Sequence, residues 1–204
     1  TSTICANSST NLALVGSSGT IGWQRSTNWN SLNPTWTSVT GTTSNLMTGA
    51  LTTTTAFRAV VSNSPCPSST SGTFVINVDP AAISGTISSS DNVCTGGNLT
   101  LTLSGYTGNA IQWQSASTAT GLFTTIEGVN GTTCTINNMT SSSNRFFKAI
   151  VSSGVCPTKA ITVTKTIIVN PLSVAGNVSG GGIVCPNAGG TVSLSGNTGS
   201  IQWQ

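Results

Sequence analysis

The chain has no histidine, and only nine of its 204 residues carry charge, six basic against three acidic. An average soluble domain is about a quarter charged. Histidine is the side chain whose ordinary pKa lies nearest neutrality, and the three carboxylates, Asp79, Asp91 and Glu127, stand far apart in sequence. A serine or cysteine nucleophile would have no base to accept its proton, so catalysis within these residues is not expected. The same shortage excludes a mixed cysteine and histidine zinc site and the clustered carboxylates of a calcium site. No metal or cofactor is implied. A net charge of +3 from six dispersed basic residues makes no stripe that could follow a phosphate backbone, so nucleic acid is not an expected partner. No stretch approaches the ~20 apolar residues of a membrane helix, so this segment is not expected to insert in a membrane, and Thr1 does not open a secretory leader. Gly180 to Gly182 precede Ile183, Val184 and Cys185 rather than a helix, which rules out a phosphate loop.

Serine and threonine are the most frequent residues, and 36% of the chain is hydrophobic. Low charge with many β-branched residues favours sheet, and the apolar residues are frequent enough to build a core. They are also repeated. Trp23 to Cys66 lies over Trp113 to Cys156 at an offset of 90 residues without a gap, and Trp203 falls at the same offset from Trp113. Cys5, Cys94 and Cys185 precede the three tryptophans at spacings that agree to within a single position, and Cys66 and Cys156 follow the first two at an identical spacing. A period of this length is a domain rather than a solenoid coil. Pro80 and Pro171 close the repeats, giving a first repeat at 1–80 whose opening strand is not evident, a complete one at 81–171, and the N-terminal part of a third at 172–204. Half a sandwich has nothing to pack against, so a slice of a longer chain is expected.

Strand patterns recur in each copy. Leu99 to Ser104 alternates strictly, as do Leu12 to Leu14 and Val192 to Leu194. Ile111 to Gln114 carries the tryptophan. Phe57 to Val61 and Phe147 to Val151 place Phe, Ala and Val on one face and Arg58 or Lys148 on the other, where solubility is the simplest role. Shorter segments near Ile83 to Ile87, Phe123 to Ile126 and Cys134 to Ile136, and a long one from Ala160 to Val169, bring the count to seven strands per repeat. This predicts an all-β chain of tandem immunoglobulin-like sandwiches, with Trp23, Trp113 and Trp203 as core anchors. The usual inter-sheet disulfide is absent, since leucine and alanine stand where its cysteines would be.

The structural disulfide candidates are Cys5, Cys66, Cys94, Cys156 and Cys185, in a chain suited to an oxidising, extracellular setting. Two pairings are open. Within repeats, Cys5 would join Cys66 and Cys94 would join Cys156. Unless the first stretch of the module doubles back, the order of strands sets its two cysteines more than a strand length apart, beyond the ~7 Å reach of a disulfide; the same order sets the first of one repeat near the second of the next, so that Cys5 with Cys156 would staple neighbours, and the two schemes stand level. Cys185 lacks a partner under either scheme. Cys134 replaces Ser44 of the first repeat and reads as a small strand residue, the alternative being a reactive or intermolecular thiol. Trp36, aligned with Ile126, is expected in the core, whereas Trp29 lies in a polar Asn/Ser stretch and is the candidate surface contact. Sequons at Asn98, Asn130 and Asn138 follow from the Ser/Thr content.

The recurring string, cysteine with a Gly/Asn-rich turn, Leu-x-Leu-Ser-Gly as at Leu101 to Gly105, Ile-x-Trp-Gln as at Ile111 to Gln114, Phe-Arg/Lys-Ala as at Phe57 and Phe147, and Cys-Pro, resembles the Ig-like repeats of giant secreted surface proteins of Bacteroidota. It is most similar to the SprB family of gliding adhesins. The resemblance implies export by a type IX secretion system, attachment to the outer membrane through parts outside this chain, contact with external surfaces or glycans, neighbouring Ig-like repeats, and motility machinery that drags the filament. The alternative is a glycan-binding or spacer module of a secreted polysaccharide-degrading enzyme.

Overall fold

A computed structural model describes residues 1–140, 143 and 145–204. Every regular element among them is a strand. The first repeat contributes β1 (Ser2–Cys5), β2 (Asn11–Ala13), β3 (Thr20–Ser26), β4 (Thr37–Val39), β5 (Asn45–Met47), β6 (Thr55–Asn63), β7 (Cys66–Thr70) and β8 (Phe74–Asp79). One sheet runs β1-β8-β6-β3-β4, with β7 also on β6; the other is the β2-β5 pair. Alternation decides which residues meet between them. Ile21 and Trp23 of β3, Phe57 and Ala59 of β6 and Ile76 of β8 pack with Leu12 of β2 and Leu46 of β5 in one buried cluster that also holds Leu51. Full burial of each large apolar side chain stabilises by roughly 1.5–3 kcal/mol.

The second repeat contributes β9 (Thr86–Ser88), β10 (Asn92–Cys94), β11 (Leu99–Ser104), β12 (Ala110–Ala116), β13 (Thr124–Thr125), β14 (Thr133–Ile136), β15 (Phe146–Ser152), β16 (Ala160–Ile161), β17 (Lys165–Thr166) and β18 (Ile168–Asn170). Its sheets run β13-β12-β15-β16, with β17 also on β15, and β14-β11-β9, while β10 pairs β18. In β11 every leucine is buried and every intervening residue exposed. Beyond lies one hairpin, β19 (Asn177–Gly180) with β20 (Val192–Ser195).

Two features differ from the sequence reading. Both repeats contain a short strand that ends on the first cysteine, β1 or β10, and runs parallel to the repeat's last strand; elements so short carry no alternation to detect. The expected single strand from Ala160 to Val169 is broken. Thr162 donates its amide to Ala149 O (3.0 Å), and its hydroxyl accepts the Ala149 N–H (2.9 Å). Ser71 does the same to Ala59, with both distances 2.8 Å. A hydroxyl thus takes the place of a backbone carbonyl, and the ladder is interrupted there without leaving a polar group unpaired.

The chain forms two compact units that do not follow the repeat boundary. The first comprises Thr1–Thr86, Ser104–Gln112 and Ala149–Thr162; the second comprises Ile87–Leu103, Trp113–Lys148 and Val163–Gln204. Within the first, Gly19 and Gly108 occupy equivalent turns at φ +126° and +152°. A Cβ at Gly19 would lie 2.6 Å from Ser62 O, and one at Gly108 would lie 2.5 Å from Ser152 O. Only glycine allows so close a backbone approach.

Candidate functional site: a disulfide joint

The three carboxylates have separate settings. Asp91 pairs with Lys165, Asp79 accepts the Val155 N–H at 2.9 Å, and Glu127 is exposed. Among the described residues no three histidine, cysteine or acidic side chains cluster. An open cleft of about 480 Å³ lined by residues such as Arg25, Asn28, Thr35, Thr37 and Thr53 offers hydroxyl and guanidinium donors without a carboxylate or imidazole.

The distinctive site is the bond between Cys5 and Cys156, which joins the first repeat to the second across 151 residues of sequence with Cα atoms 4.8 Å apart. Local structure brings each half into place. Because β1 runs parallel to β8 with Cys5 opposite Asp79, Cys5 lies at the end of the repeat's last strand. The chain then turns: Ala6 donates to Asp79 O (2.8 Å), Asn7 to Leu51 O (2.8 Å) and Ser8 back to Cys5 O (3.0 Å). Asn7 takes φ +65°, a conformation that asparagine tolerates better than most residues.

The other half lies in the loop after β15. Cys156 donates its amide to Ser153 O (2.8 Å), and Gly154, at φ +43°, donates to Asn109 Oδ1 (3.0 Å). An added Cβ at Gly154 would fall 1.8 Å from Asp79 Oδ2, the oxygen that accepts the Val155 N–H. Glycine is therefore required for the carboxylate to reach the loop. Cys156 Sγ lies 3.4 Å from Pro80 O and 3.6 Å from Asp79 O; an oxidised sulfur has no hydrogen to donate, so these are packing contacts. Ile83 and Thr107 exchange both backbone hydrogen bonds in the same unit, at 2.9 and 3.0 Å.

The pairing is the one that staples repeats. The within-repeat alternative does not occur: Cys66, Cys94 and Cys185 are free and exposed. Cys134 is free and fully buried, opposite Leu101 in the β11-β14 ladder. Loss of hydration pushes its thiol up to about 11, so it stays protonated and unreactive near neutrality.

The tryptophans divide. Trp23 and Trp113 are buried, and their indole N–H groups donate to Thr43 O (3.0 Å) and Gly131 O (2.9 Å). Trp203 is 57% exposed, because residues 172–204 hold one hairpin and no second sheet to cover the ring. Trp29 is half-buried rather than freely exposed. Trp36 is not in the core: it is half-buried, and the Arg58 guanidinium stacks 4.0 Å from its ring centroid. Arg58 Nε also donates to Gln24 Oε1 (2.8 Å). In the second repeat Lys148 lies 4.1 Å over Phe123. The recurrent basic residue, expected to serve solubility, therefore caps an aromatic ring in both repeats. Arg58 and Lys148 at one repeat position were the available sequence signal, but the aromatic partners do not align with each other and gave none.

A family model matches residues 1–80 and again 83–171, two copies in tandem. The chain belongs to the DUF8696 family. That family is described as a domain of unknown function, and no curated protein matches this chain in sequence. Solved structures place the DUF8696 fold. A chain in the crystal structure of mouse coronavirus receptor-binding domain complexed with its murine receptor superposes with TM-score 0.54 at 12% identity, covering 82% of this chain and 95% of that one. The three-Ig structure of titin domains I67–I69 superposes with TM-score 0.51 at 12% identity, covering 82% and 62%. The tandem DUF8696 repeats are immunoglobulin-like β-sandwiches.

Proposed function

We propose that these residues are a non-catalytic repeat segment of a long extracellular adhesin filament, attached to the cell surface through parts outside this chain. The carrying observation is the Cys5–Cys156 bond, which makes a covalent joint between consecutive repeats and calls for an oxidising compartment. A stapled series of sandwiches suits transmission of tension, and the scarcity of charge leaves the segment little affected by salt. The resemblance to gliding adhesins of Bacteroidota extends this reading: type IX secretion delivers the filament, its distal parts touch surfaces or glycans, and motility machinery moves it. Neighbouring Ig-like repeats are the immediate partners. The test is intact-mass analysis and non-reducing peptide mapping of the protein isolated from its source cells. Many further copies of this module in one chain, with antibody against these residues blocking attachment and gliding, is the expected result. A short chain joined to a polysaccharide-degrading domain would refute the filament.

A further inference from the structure

Each complete repeat carries a first cysteine, Cys5 or Cys94, and a second, Cys66 or Cys156, yet only Cys5 and Cys156 are bonded to each other. The free cysteines are not isolated features, because their bonded equivalents show what such a pair does. Cys94 stands in the frame of Cys5. It pairs Asn170 at the end of β18 as Cys5 pairs Asp79 at the end of β8. Thr95 donates to Asn170 O (2.8 Å), Gly96 to Met139 O (2.7 Å) and Gly97 to Cys94 O (2.9 Å), reproducing the three hydrogen bonds that follow Cys5. The residue two beyond each first cysteine, Asn7, Gly96 or Asn187, has positive φ, at 65°, 84° and 67°.

The stretch after β18 also begins the same joint. Val174 and Thr198 exchange backbone hydrogen bonds at 3.0 and 2.9 Å, as Ile83 and Thr107 do. Gly176 repeats the role of Gly85: a Cβ would lie 2.4 Å from Ser195 O in one and 2.3 Å from Ser104 O in the other. In the first joint the remaining element is the loop that carries Cys156.

We propose that Cys94 is the open half of a second disulfide joint, whose occupant is the second cysteine of a further DUF8696 repeat, and that Cys66 is the complementary half for the first cysteine of a preceding one. Closing each bond removes two protons and two electrons from two thiols. A low-molecular-weight disulfide such as oxidised glutathione takes them in two exchange steps and leaves as two reduced thiols. The consequence is mechanical. Cys156, which ends one joint, is followed by Cys185, which would begin another, with only a short stretch of chain between them. In a filament with every joint closed, tension therefore passes from disulfide to disulfide through links equivalent to Cys156–Cys185, while the rest of each sandwich is bypassed.

The inference does not rest on the adhesive reading. It is tested by placing a further copy of residues 81–171 directly after Pro171, oxidising the chain in a glutathione redox buffer, alkylating the remaining thiols and mapping the peptides without reduction. The expected result is Cys94 joined to the added copy's Cys156, with Cys5–Cys156 in the same digest reporting that the original joint has folded. In the 204-residue chain treated in parallel, Cys94 is alkylated. Serine in place of the added copy's Cys156 frees Cys94 and leaves Cys5–Cys156 in place. The proposal is overturned if Cys94 in the extended chain is alkylated while Cys5–Cys156 is formed, if Cys94 is joined to Cys66 or Cys134, or if Cys5–Cys156 does not form.

Discussion

Pulling the chain by its ends distinguishes the joint from any other pairing, because a disulfide removes the residues it encloses from the extensible length. With Cys5 joined to Cys156, 151 residues are withheld. At about 3.3–3.6 Å per extended residue, reduction should release roughly 500 Å of additional contour length. The assay is single-molecule force spectroscopy with handles at Thr1 and Gln204, recorded before and after dithiothreitol, with Cys5→Ser as the genetic equivalent of reduction. The within-repeat scheme makes a different prediction from the same sequence. Cys5 with Cys66 and Cys94 with Cys156 would each enclose a much shorter loop, so reduction would release two increments of roughly 200 Å each. Two short increments, or no change on reduction, would refute the joint; one long increment is expected.

Other outcomes follow from the same contacts. Cys156→Ser should lower stability by up to about 5 kcal/mol in the chain-entropy model for a loop of this length, read as a fall in the denaturant midpoint that reduction of the parent chain reproduces. Gly154→Ala should make the disulfide easier to reduce, because its Cβ would collide with Asp79 Oδ2; Gly131→Ala, in open space, should leave the reduction rate unchanged. Arg58→Ala should cost about 0.5–1 kcal/mol through loss of the contact over Trp36, measured by thermal unfolding. For Cys134 the folded thiol titrates at about 11 against an ordinary 9.0. The fold thus favours the protonated form, and its contribution is complete below pH 9 and lost as pH rises toward 11. Near neutrality iodoacetamide should label Cys66 and Cys94 and spare Cys134 until the chain unfolds.

Much of the fold was legible because its causes are local. Strict alternation over Leu99 to Ser104 implies one buried face whatever the partner strand, and the recurrence of the tryptophan and cysteine positions sets the modules in register. The short parallel strands are not legible in the sequence because Ser2–Cys5 and Asn92–Cys94 owe their pairing to a distant strand, Phe74–Asp79 or Ile168–Asn170, rather than to their own pattern. The break at Thr162 was hidden for a related reason: its hydroxyl reads as one more β-branched residue until Ala149 is placed beside it.

Residue order alone determined that the chain is a tandem of all-β modules, that it holds no histidine and only three carboxylates, and that Trp23 and Trp113 recur in the same frame. It left the cysteine pairing open. Spacing constrains distance along a chain, whereas a disulfide depends on which strand ends meet in space. Only the tertiary structure set the end of β1 beside the loop after β15 and put Gly154 against Asp79. The same dependence on distant strands decided the aromatics: Trp36 lies under Arg58 on an outer face, and Trp203 is uncovered because burial requires a second sheet, which no single strand can supply.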